Sequence, residues 1–163
     1  MKPEIASIIA DIEASEKQED YDAVNTLWLV LLKAANLMQG EKEHQRMLAL
    51  IQKMPTKAVG VVLEDPGVDR LLNLDPPLET ILASPHERLD GQASARELED
   101  LRSMRASDPY AALASLGHLL KRIRNKREHG FKSRKGSRDR EILYGTRSIL
   151  KKLAKVGLGV VNV

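Results

Sequence analysis

The chain has no cysteine, and among its 163 residues there are only one Phe, one Trp and three Tyr. Without cysteine there is no disulfide, no thiol nucleophile and no cysteine-ligated zinc or iron–sulfur centre, which is compatible with a reducing cytoplasm. So few aromatics exclude an RNA-binding platform that stacks several bases, since only Phe131 and Tyr144 lie in the basic C-terminal third where stacking would be needed. Long apolar runs are missing too. The most apolar stretch, "LWLVLLKAANLM" at 27–38, contains Lys33 and is too short to span a bilayer. The N-terminal "MKPEIASIIADIEASEKQED" turns acidic after a very short apolar stretch, unlike a secretory signal. A soluble, cytoplasmic protein without a membrane partner is therefore expected. No H-E-x-x-H motif, ligand-spaced carboxylate cluster, phosphate loop or dinucleotide fingerprint occurs, so neither a metal nor a cofactor is expected.

What is present is helical pattern. The length suits one domain over 1–163, and Ala, Leu, Glu, Lys and Arg dominate. Pro3 opens a first helix over 3–16. A second starts near Asp20 or Asp22, either of which can cap it. Val24, Leu27, Trp28, Leu31, Ala34, Ala35 and Met38 then recur at three- and four-residue steps until Gly40. A third covers 41–53. Residues 54–93 carry five of the seven prolines, so long helices cannot persist there. Short pieces such as "VDRLLNL" and "LETILA" are plausible, in an irregular side layer or a lid, and "KAVGVVLE" is ambiguous with a strand. Helical pattern returns at 94–105, with Ser94 as a possible cap. Asp108 caps and Pro109 opens a helix to about Glu128, which Gly130 ends. A last helix begins at Ser137 or Asp139, turns Ile142, Leu143, Thr146, Ile149, Leu150 and Leu153 inward, and stops at Gly157. The fold class expected is all-α, a four- to five-helix up-and-down bundle with a proline-rich irregular middle segment.

The net charge of +3 conceals an asymmetry. Residues 121–155 hold fourteen Lys and Arg against Glu128, Asp139 and Glu141, a local excess of +11, which leaves −8 for the remainder. Such segregation suits an anionic partner, RNA or DNA first. It equally suits acidic helices packed beside basic ones.

On a helical wheel, Leu113, Leu116, Leu119, Leu120 and Ile123 form one stripe. Arg127 follows Ile123 by four residues and falls on that stripe, while Arg124 follows Leu120 by four and falls at its edge. A guanidinium there needs an acid, a helix C-terminus, an interface or a bound anion. A structural account exists: the macrodipole favours cations at this end, Glu128 can pair with them, and a His129 ring nitrogen can cap the last carbonyls.

Arg124-Asn125-Lys126-Arg127-Glu128-His129 resembles the R-x4-H motif of the HEPN superfamily, small helical bundles that include many metal-independent ribonucleases. In that family the arginine lies near a helix end, a polar residue often follows it, and the histidine falls at the terminus. The "HGFK" that follows and the downstream "RDREIL" helix are similar as well, so the likeness covers about 108–155. Arg122 also precedes His129, with six residues between, but Ile123 rather than a polar residue comes after it. The resemblance implies RNA cleavage by 2′-hydroxyl attack, with Arg124 on the scissile phosphate, Asn125 orienting the histidine or a phosphate oxygen, and His129 as acid or base. Because one chain offers one histidine here, it also implies a homodimer whose two motifs line one cleft. Arg127, Lys132, Arg134 and Lys135 are candidate phosphate contacts, and so is Arg138. In HEPN toxins paired with nucleotidyltransferase antitoxins a tyrosine stands two residues after the histidine and is the site of inactivating modification. Here that residue is Phe131, which removes that route of regulation. A protein antitoxin or operon partner stays among the expectations, as does a non-catalytic module that binds RNA or protein.

Overall fold

The structure, a computed structural model, describes residues 1–83, 88–129 and 137–163, with side chains described for 1–83, 92–126 and 139–163. These residues form nine helices: α1 (Pro3–Ser15), α2 (Asp20–Ala35), α3 (Glu43–Gln52), α4 (Thr56–Leu63), α5 (Pro66–Leu72), α6 (Leu78–Leu82), α7 (Arg88–Met104), α8 (Pro109–His129) and α9 (Ser137–Val161). No strand occurs among the described residues. The protein is all-α, but the number of helices exceeds the four or five expected.

The difference lies in the proline-rich middle. Through residue 83 it holds the two short helical pieces expected, α5 and α6, and a further one, α4. Pro55 and Pro77 stand immediately before α4 and α6, and Pro66 is the first residue of α5, positions where a missing N–H costs nothing. Prolines here start helices. The ambiguous "KAVGVVLE" is helix because Val59, Val62 and Leu63 fall at three- and four-residue spacing, and all three are buried. With Val68, Leu71, Leu78 and Leu82 they build one wall of the core, against α7, α8 and α9.

Asp65 fixes the turn between α4 and α5. Its fully buried carboxylate accepts the Gly67 N–H at 2.8 Å, capping α5, and also receives Ser148 Oγ at 3.1 Å and Lys152 Nζ at 2.7 Å from α9. Beside it, α5 and α9 meet through glycines: a Cβ on Gly67 would sit 2.4 Å from the Gly145 carbonyl oxygen. Only glycine permits that approach.

The two long C-terminal helices follow the expected faces. In α8, Leu113, Leu116, Leu119, Leu120 and Ile123 are buried, and in α9 so are Ile142, Leu143, Thr146, Ile149, Leu150 and Leu153. Some boundaries differ. The α9 helix runs through Gly157, which does not end it; a Cβ built there would lie at ordinary van der Waals distance from Leu31, Leu50 and Ala34. Ser94 is buried inside α7 rather than capping it. Asp20 and Asp22 lie in the first turn of α2, where they complement the dipole without capping. Asp108 does cap α8, accepting the Ala111 N–H at 3.3 Å. No helix among the described residues is long and apolar enough to cross a membrane.

Candidate functional site

The site candidate is the C-terminal end of α8, where the buried stripe gives way to basic residues. Capped by Asp108 and packed along Leu113 to Ile123, the helix continues to His129 as its last residue. Arg124 is half-buried where the stripe ends. Its Nε donates to Asn25 Oδ1 of α2 at 3.1 Å, and its Nη1 to Asn125 Oδ1 at 3.3 Å. Both acceptors are amides. They orient the guanidinium and carry no charge of their own. Asn125 itself is exposed.

Arg124 and His129 are five residues apart in one helix, which separates their backbones by about 7.5 Å along the axis. The side chains of Arg127, His129 and Arg138, and the residues Gly130, Phe131, Lys132, Arg134 and Lys135, lie outside the described residues.

Arg122, a second arginine upstream of His129, has a structural post. It forms an ion pair with Glu97 and ties α8 to α7. It is not alone. Lys121 pairs with Glu43 at 3.5 Å, Arg147 with Asp20 at 2.9 Å, Lys151 with Glu16 at 2.9 Å and Lys152 with Asp65 at 2.7 Å. Arg147 also donates to the Ser15 carbonyl at 2.8 Å. The hydrogen bond from Lys151 holds the Glu16 carboxyl below its ordinary range. The acidic helices thus bind part of the basic segment directly, so part of the charge asymmetry is interhelical ion pairing. Arg140 and Lys155 of the same segment are exposed.

Among the other histidines, His118 points away from the apolar stripe and is exposed at the side of α8, as its wheel position implies. Partial desolvation of the ring by its neighbours, then the charges of Lys121 and His44, push its pKa below the ordinary value of 6.5. No group of three or more His, Asp or Glu able to hold a metal occurs among the described residues.

Sequence reasoning missed Asn25. It lies 99 residues from Arg124, and its only signal was a polar residue flanking the apolar face of α2. Comparisons with protein-family models, curated proteins and solved structures each returned no match.

Proposed function

We propose that this protein is a metal-independent endoribonuclease whose working residues are Arg124, Asn125 and His129 at the end of α8. The observation that carries the reading is the Arg124 guanidinium, oriented by Asn25 and Asn125 on a helix that ends at His129. The sequence around it has the R-x4-H spacing and the following asparagine of HEPN ribonucleases. Arg122, which shares this basic stretch of α8, is engaged by Glu97.

The substrate carries its own nucleophile. A base removes the 2′-hydroxyl proton, the 2′-oxygen attacks phosphorus, and the 5′-oxygen leaves as an acid returns a proton to it. The products are a 2′,3′-cyclic phosphate and a 5′-hydroxyl. His129 supplies acid or base, Arg124 binds the non-bridging oxygens as charge builds, and Asn125 orients the histidine or the phosphate. A homodimer brings the second histidine, so that acid and base come from different chains. Arg127, Lys132, Arg134 and Lys135 guide the RNA backbone.

A second reading keeps the fold and omits cleavage: a module that binds RNA or a protein partner such as an antitoxin. The ion pairs that occupy Lys121, Arg122, Arg147, Lys151 and Lys152 favour its protein-binding form, because they give many of the cations a structural purpose. The test is incubation of wild type and His129→Ala with RNA in EDTA, with the cut ends mapped. Cleavage to cyclic phosphate by wild type alone is the expected result. RNA binding with no cleavage by either protein would favour the second reading.

A further inference from the structure

Tyr144 of α9 is the one aromatic side chain among the described residues that stands out from the surface, with 54% of it exposed. Tyr110 is half-buried, and its hydroxyl donates to the Met54 carbonyl at 2.6 Å. The Tyr144 hydroxyl makes no hydrogen bond among the described residues.

The ring is nonetheless held in place. Beside it, Gly67 and Gly145 let the backbones of α5 and α9 touch. That approach carries Arg70 of α5 to the ring. A Cβ built on Gly145 would lie 3.8 Å from the Arg70 Cβ, and the Arg70 guanidinium carbon stands 4.9 Å from the Tyr144 ring centroid. This is the distance of a cation over an aromatic face. Arg70 is exposed and forms no ion pair among the described residues. The neighbouring acid, Asp69, is taken by Arg105 at 2.7 Å.

A second arginine lies on the other side. Arg140, one turn before Tyr144, is exposed and forms no ion pair among the described residues. The exposed acid of that turn is Glu141, while Asp139 is buried. In sequence, residues 132–140 contain five Lys or Arg against that one aspartate. An open aromatic face between arginines suits a nucleobase on the ring and phosphates on the guanidiniums. An acidic peptide would use the arginines and not the face, and an apolar one the face and not the arginines.

The pair also lies at the end of the bundle where Arg124 is held. Arg147, one turn after Tyr144, reaches Asp20 at the start of α2. Arg124 reaches Asn25 of the same helix, about 7.5 Å further along its axis.

We infer that Tyr144, Arg70 and Arg140 form a subsite for one base of single-stranded RNA, stacked on the open face of Tyr144 with its phosphates on the two arginines. The inference rests on RNA as the partner and not on cleavage. A single stacked base is what the scarcity of aromatics in the chain allows.

A short labelled 2′-O-methyl oligoadenylate lacks the attacking hydroxyl and stays intact, so its binding can be followed by anisotropy with the active protein. Tyr144→Ala, at an exposed position that needs no repacking, should weaken it about tenfold, the share of one base stack. The salt slope should not change, because a stack releases no counterion. Tyr144→Phe keeps the face and should bind as wild type does. Arg70→Gln should lower the slope of log K by about 0.7. Inorganic polyphosphate, which has charge and no bases, should bind wild type and Tyr144→Ala alike. Equal oligoadenylate affinity in wild type and Tyr144→Ala would overturn the inference and leave Arg124 and His129 in their roles. A Tyr144→Phe protein as weak as Tyr144→Ala, a matching loss for polyphosphate, or an unchanged Arg70→Gln protein would overturn it too. No oligoadenylate binding by wild type would contradict RNA as the partner, and the subsite with it.

Discussion

The basic residues of α9 and those at the end of α8 carry the same charge in different company. On α9, Arg147, Lys151 and Lys152 reach acids on or beside α1, α2 and α5, and their charge is used to hold helices together. At the end of α8, Arg124 donates to the amide oxygens of Asn25 and Asn125, which orient its guanidinium. The lesson is that charge density by itself marks neither a site nor a scaffold. Arg122, two residues before Arg124, already belongs with the scaffold through Glu97.

The comparison is broken most severely at the scaffold. Gly67→Ala forces a methyl group against the Gly145 carbonyl and should cost about 3 kcal/mol, read by urea denaturation, because both atoms belong to packed helices. Asp65→Ala comes next. It leaves the first turn of α5 uncapped and Lys152 without its buried partner, and a loss of about 2 kcal/mol is expected. Since Lys152 is partly exposed and can turn to water, the loss should stay below that of a fully buried pair.

Paired arginine variants sharpen the comparison. Arg147→Ala should destabilise by about 1 kcal/mol through loss of Asp20 and the Ser15 carbonyl. Its effect on RNA affinity should vanish once the folded fraction is matched. Arg124→Ala should instead weaken RNA binding and lower the salt slope of log K by about 0.7, the share of one phosphate contact on a single strand. Titration of binding against potassium chloride distinguishes the two.

The smallest effect is on pH. The His118 pKa is lowered in the folded state, so the unfolded chain binds more protons as pH falls below 6.5. Stability is therefore complete above that value and declines on acidification toward the folded pKa. A modest fall in Tm between about pH 7 and pH 5.5 is expected, reduced in His118→Gln. Glu16 adds a loss at lower pH, because its lowered carboxyl pKa contributes stability only above its usual range.

Much of the frame was legible from spacing alone. The stripe from Leu113 to Ile123 and the face from Ile142 to Leu153 are periodic over several turns, and burial follows them residue by residue. The proline-rich middle was harder to read because proline disfavours helix interiors and favours helix starts, and the choice depends on where each neighbouring helix packs. Gly157 was read as a stop, yet α9 runs through it to Val161, because a glycine inside a helix lowers its stability without ending it. At the site, Arg124 was legible from its position after Leu120. Asn25, and the acids that tie down Arg122 and Arg147, come from distant parts of the chain and leave no mark in local spacing.

The most direct test of the account is RNA cleavage in EDTA by three proteins matched for folded fraction: wild type, Arg147→Ala and His129→Ala. Wild type and Arg147→Ala should cleave alike, leaving 2′,3′-cyclic phosphate ends, and His129→Ala should be slower by about 100-fold or more. Equal cleavage by all three would remove His129 from the chemistry, and cleavage by none would contradict the ribonuclease reading.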